Sequence, residues 1–212
     1  TGSANPLVVP KLGDSLAGRM LLYELYPLSQ GEISGTKEKF LENAFSDQPD
    51  FKGSRFNKHE LIARISRGGY PEVQGLHNHE DRSEWADGYL SLILQKDIRD
   101  LAQIEGISQL PNLLLAVAAQ IGSLLDYGNL AKDSGIPLTT LRRYFQLLHS
   151  LFIVHTLPSW SRNIKKRFVK SPKIFFVDTV ILLQLLNLNE DRLVQSPKIL
   201  GRAAENFIVL EL

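Results

Sequence analysis

A chain of 212 residues with 43% apolar and 22% charged side chains can bury a sizeable core and has an ordinary globular composition. Its formal net charge of +1 excludes any argument for a polyanionic partner from overall charge, so such an argument must rest on a local patch. Cysteine is absent, which excludes disulfides and thiolate metal sites and fits a reducing, cytoplasmic setting.

The first residues, Thr1-Gly-Ser-Ala-Asn-Pro6, carry no basic-then-apolar leader. Gly2, Pro6, Pro10 and Gly13 predict a turn-rich entry, and Met20 to Leu25 a short strand closed by Tyr26-Pro27. A short helix is expected over Lys37 to Phe45, a loop over Gln48 to Ser54, and a further helix over His59 to Ile65. Gly68-Gly69-Tyr70-Pro71 then marks a hard stop and a change of direction. The polar run Gln74 to Ser83 leads into a helix on which Trp85, Tyr89, Leu92 and Ile93 share a face. That spacing makes Trp85 and Tyr89 core residues rather than a ligand stack.

From Gly106 to Lys173 the pattern is that of a winged helix-turn-helix. Leu110, Leu113, Leu114, Val117, Ala118, Ile121, Leu124 and Leu125 form a broad helical stripe behind Pro111. The stripe is interrupted by Asn112, Gln120 and Ser123, too short and too polar to span a bilayer. A short helix over Asn129 to Ser134 and a Gly135-Ile136-Pro137 turn follow. A third helix buries Leu141, Tyr144, Phe145, Leu148, Leu151 and Phe152, leaving Thr139, Arg142, Arg143, Gln146 and His149 off that face. Two strand-like runs, Phe152 to Leu157 and Lys173 to Val177, flank a basic stretch with Arg162, Lys165, Lys166, Arg167 and Lys170 and no acid. Three helices and a basic-tipped hairpin predict a recognition helix in the major groove and a wing on phosphates. Such modules also serve as protein-docking or self-association units, and the pattern leaves both readings open.

Nearly the whole chain resembles the later part of a group of bacterial and archaeal AAA+-type ATPases with a C-terminal domain of unknown function. The resemblance runs through Thr1-Gly-Ser-Ala4, Leu16-Ala-Gly-Arg19, Leu25-Tyr-Pro-Leu-Ser-Gln-Gly-Glu32 and Gly68-Gly-Tyr-Pro-Glu-Val73. It continues through Tyr89 to Arg99, the helix-turn-helix, Ser171 to Thr179 and Gly201-Arg-Ala-Ala-Glu-Asn-Phe207. The resemblance implies a division into 1–35 (end of the nucleotide-binding domain), 36–105 (helical lid or linker), 106–177 (winged helix) and 178–212 (start of a C-terminal domain). The fold class expected is mainly α with minor β. By resemblance, Thr1 and Ser3 lie near a γ-phosphate and Arg19 near a nucleotide or subunit edge, where arginines stabilise transferring phosphoryl groups.

The sequence contains no Gly-x-x-x-x-Gly-Lys-Ser/Thr loop to cradle phosphates. The chain is therefore read as a part with no catalytic activity of its own, whose parent protein binds ATP and magnesium. Its end within the apolar-periodic run Ala203 to Leu212 fits that reading. The family pattern has glycine after the Asp-Thr pair where this chain has Val180, and a lone acid such as Asp178 at a strand end is expected to be a cap or turn former. Relatives' C-terminal domains resemble restriction-endonuclease folds, which makes a nuclease-linked remnant a third reading. Glu205, the matching acid, cannot assemble a metal centre alone. His77, His79, Glu80 and Asp81 read as a solvated loop, not a metal site, and no Gly-x-Ser-x-Gly nucleophile motif is present.

Overall fold

The computed structural model describes residue 21 and residues 23–51, 56–94, 107–163, 167 and 170–212. Thr1, Ser3, Arg19, Lys165 and Lys166 lie outside the described residues. Among those described, the chain is mainly helical with one two-stranded sheet.

The strand expected over Met20 to Leu25 has no counterpart among the described residues. Leu21, Tyr23 and Leu25 are 82%, 81% and 95% exposed, so no sheet neighbour covers them. The segment gains its hold further on, where the Leu28 N–H donates to the Gly69 carbonyl at 2.8 Å. An unanticipated helix, α1 (Gln30–Ser34), follows because Ser29 and Glu32 form a reciprocal capping box and Gly35 closes it at φ 65°. The next helix, α2 (Phe40–Ala44), lacks a side-chain cap and is shorter than expected.

Helix α3 (Lys58–Arg67) opens on a second capping box, Asn57 with Glu60, and buries Ile62 and Ile65. After the short α4 (Pro71–Gln74), α5 (His79–Leu92) begins inside the polar run expected to be loop. Asn78 accepts the Asp81 N–H at 2.7 Å, and Glu80 and Asp81 face the positive end of the helix dipole. Trp85 and Tyr89 stack at 5.2 Å and pack with Tyr70, whose hydroxyl donates to that of Tyr89.

Helix α6 (Leu110–Ala119) buries the predicted stripe but stops before Ile121. Gly122 reverses the chain at φ +72°, leaving Leu124 61% exposed. Helix α7 (Tyr127–Ser134) is capped by Asp126, which accepts from Gly128 and Asn129. Gly135 takes the expected left-handed conformation at φ 71°, and α8 (Leu138–Ser150) follows. Strands β1 (Val154–Leu157) and β2 (Lys173–Phe176) pair antiparallel, with Val154 opposite Phe176 and Leu157 opposite Lys173. The segment 122–125 also pairs with β2: Gly122 N–H donates to Ile174, Ile174 N–H to Ser123, and Leu125 N–H to Pro172.

The chain closes with α9 (Thr179–Leu185), α10 (Glu190–Val194) and α11 (Pro197–Leu210). Helix α9 packs against α3, α5, α6 and α11, while α10 lies on α3 and α11. A single apolar cluster therefore runs from Ile62 through Leu114 and Phe175 to Phe207, across the boundaries suggested by the family resemblance. Arg82 of α5 enters this interior at 6% exposure, and its guanidinium meets Glu190 at 3.2 Å and the His77 carbonyl at 3.3 Å.

Asp178 lies buried at the junction of β2 and α9. Its Oδ1 accepts the Val180 N–H at 2.7 Å and its Oδ2 the Gly69 N–H at 2.7 Å. Thr179 next to it donates to the Ile65 carbonyl at 2.6 Å. Gly68 sits against this carboxylate at φ 68°, ψ −159°, backbone that only glycine adopts readily. The Gly68-Gly69 turn and the Asp178-Thr179 pair thus lock α3 to α9.

Candidate nucleic-acid interface

The local sequence of α8 determines which of its side chains face outward. Leu141, Tyr144, Phe145, Leu147 and Leu148 are buried at helical spacing, so Thr139, Arg142, Arg143, Gln146 and His149 are left exposed, as the periodicity requires. Arg142 is not simply solvated. Its guanidinium lies 5.3 Å from the centre of the Tyr127 ring, which in turn meets Phe145 edge-on at 5.6 Å. This cation–π contact holds Arg142 along the α7–α8 edge. Partial burial raises the Tyr127 phenol above its ordinary value, and the Arg142 charge opposes that shift.

The arm between β1 and β2 brings Trp160, Arg162, Arg167 and Lys170 to the surface, all exposed. The Arg167 Nε donates to the Ser161 carbonyl at 2.6 Å, which ties that arginine to the residue after Trp160. Lys173, at the base of the arm, is committed elsewhere: it pairs with Glu205 of α11. Both partners are about two-fifths exposed, so the pair contributes less than about 1 kcal/mol. Glu205 is therefore an anchor for the hairpin base. The structure brings Thr139, Arg142, Arg143 and Gln146 onto one helix face and leaves Arg162, Arg167 and Lys170 exposed on the arm.

Tyr127 and Trp160 were not singled out by spacing. Trp160 lies outside any apolar period, between two serines, and that isolation is the signal that marks it. Behind the arm, Tyr26 meets the β1 residue His155 edge-on at 6.3 Å. Burial, then the nearby His149, lowers the His155 pKa.

Asp178 is a cap and turn former, fully buried and bonded by backbone N–H groups. Val180 occupies the first turn of α9 and its N–H donates to Asp178, so no left-handed turn is needed at this position. Beside Asp178 a cleft of about 330 Å³, counting space open to solvent, is lined by Tyr26, Leu28, Gly69, Asp178, Phe207 and Glu211. The Gln30 N–H donates to Glu211 at 2.8 Å there, and burial raises the Glu211 pKa. His77 and His79 flank the Asn78 cap, and no three His, Asp or Glu side chains converge as metal ligands among the described residues. No helix among those residues is long and apolar enough to cross a membrane.

Residues 58–192, well over half the chain, match a family described as a domain of unknown function (DUF8612). The chain belongs to this family. The matched stretch runs from the first residue of α3 into α10, so it contains the Gly68-Gly69 turn, Asp178, α8 and the basic arm. Uncharacterised proteins of Mycobacterium bovis and Mycobacterium tuberculosis are each 30% identical over 213 residues, covering 100% of this chain and 43% of the relative. An uncharacterised protein of Methanocaldococcus jannaschii is 24% identical over 221 residues, covering 100% of this chain and 46% of the relative. The chain thus spans less than half the length of these curated relatives. No solved structure matches it.

Proposed function

We propose that this chain is the DNA-binding, regulatory part of a AAA+-type ATPase, built around a winged helix. The observation that carries the reading is the order of elements along the chain: helix α6, the β-pairing segment 122–125, helices α7 and α8, and the β1–β2 hairpin with its basic arm. Helix α8 offers Thr139, Arg142, Arg143 and Gln146 to a major groove, while Arg162, Lys165, Lys166, Arg167 and Lys170 meet phosphates. Nucleotide would bind in the parent protein outside this chain, with Thr1, Ser3 and Arg19 at that boundary. The segment leading from that boundary is in contact with both parts of the fold, through Tyr26 on His155 and Leu28 on Gly69. A nucleotide-driven shift of the segment would therefore act on the arm and on the helical core together.

A generic duplex should bind at low salt and weaken steeply as salt rises. Replacing Lys165, Lys166 and Arg167 by alanine should lower the slope of log affinity against log salt by up to about 3, roughly one unit per lost phosphate contact. Fluorescence anisotropy of a labelled duplex measures both quantities, and a duplex that fails to bind at low salt removes the DNA reading. A docking role is the second reading, favoured by Leu21, Tyr23 and Leu25, large apolar side chains left exposed close together.

A further inference from the structure

We infer that Trp160 is a base-stacking residue, and that the arm takes up nucleic acid with unpaired bases next to a duplex in preference to a continuous duplex. The inference rests on the DNA-binding reading above and names the substrate within it.

Trp160 is 75% exposed, three residues beyond the end of β1. The other tryptophan, Trp85, is half-buried and stacked on Tyr89. An indole left in water forgoes roughly 2 kcal/mol or more of burial that a core position would supply. Here it stands where charge is one-sided. Positions 162–173 carry six basic residues and no acid, and Lys173 alone of the described ones is neutralised by a carboxylate. The Arg167 guanidinium is tied to the Ser161 carbonyl beside it, and Asn163 N–H donates to the Ser161 hydroxyl at 3.3 Å, which shapes the backbone around the indole. An exposed aromatic face on a segment rich in cations is the chemistry of single-strand binding: phosphates are held by charge, and bases stack in any order because each has a π-face. Within an intact duplex those faces are covered by neighbouring pairs, so the indole finds a partner only where bases are unpaired. The exposed face of α8, on the same module, offers hydrogen-bonding groups suited to the paired part.

The test uses the whole chain, a blunt duplex, and the same duplex with an oligothymidine tail. The tailed form should bind roughly ten-fold more tightly and quench tryptophan emission. Trp160→Ala should abolish both the quench and the preference for the tail while leaving blunt-duplex affinity within about two-fold; Trp160→Phe, which keeps an aromatic face, should restore part of the preference. Because the side chain is exposed, the Trp85 emission of the Trp160→Ala variant checks that the fold persists. A tail preference that survives in Trp160→Ala, or equal binding of the two duplexes by the wild type, overturns this inference and leaves DNA binding standing. Failure of both duplexes to bind at low salt overturns the two together and points to a protein partner for the indole.

Discussion

Truncating Asp178 to alanine should cost about 2 kcal/mol or more of stability, because two buried backbone N–H groups, of Gly69 and Val180, lose their acceptor at once. A buried donor left unsatisfied costs about 1–3 kcal/mol, and water has little access to this site. Urea unfolding should show the loss as a lower midpoint at unchanged slope. Burial pushes the Asp178 carboxyl up to about 7 from an ordinary 3.8, although its N–H donors favour the charged form. The native state thus holds a proton that the unfolded state releases between these two values. The contribution of this group is therefore fully present below about pH 4, declines as pH rises towards 7, and is flat above that. The stability difference between wild type and Asp178→Ala should narrow over that window. A difference that stays constant from pH 4 to pH 8 would show that the carboxyl remains charged throughout.

Gly68→Ala should be of similar severity for a reason visible only in three dimensions. A Cβ at Gly68 would stand 2.0 Å from Asp178 Oδ1 and 2.8 Å from its Cγ, and its φ of +68° already disfavours a side chain. The backbone strain is on the order of 1–3 kcal/mol, and the steric conflict adds to it. The two contributions can be separated. In the double variant Gly68→Ala/Asp178→Ala the carboxylate is gone, so the methyl group has room and only the strain remains. The loss in the double variant should fall short of the sum of the two single losses by 1 kcal/mol or more, a coupling that a double-mutant cycle reads directly. Strict additivity would mean that the turn relaxes away from Asp178 and that the two residues are not a unit.

The sequence displayed some of this and hid the rest for physical reasons. The α8 helix was legible because it is amphipathic: a buried face from Leu141 to Leu148 alternates with Arg142, Arg143 and Gln146 at a period that local pattern detects. Gly135 was legible because a left-handed turn needs glycine. In contrast, α9 reads Thr-Val-Ile-Leu-Leu-Gln-Leu, and Thr179 to Leu183 are all buried, so no polar face betrays its helical period. Asp178 could be named as a turn former, yet its partner Gly69 lies 109 residues away, beyond any local rule. The same holds for Arg82, whose burial depends on Glu190, and for the 122–125 segment, whose pairing with β2 interrupts what reads as a continuing helical stripe. At the candidate interface the outward residues of α8 followed from periodicity, while the fixing of Arg142 over Tyr127 required the packing of α7 on α8.

Asn206 has a consequence for how the chain behaves in company. Fully buried on α11, its carboxamide accepts the Phe176 N–H at 2.8 Å and donates to the Phe176 carbonyl at 3.0 Å. It supplies both hydrogen bonds that a neighbouring strand would otherwise make at that position of β2. An exposed strand edge is a template on which a second molecule can pair. The side chain of one asparagine therefore acts as a strand terminator, and its loss would open Phe176 to intermolecular pairing during refolding, with aggregation preceding any change in the shape of the native fold.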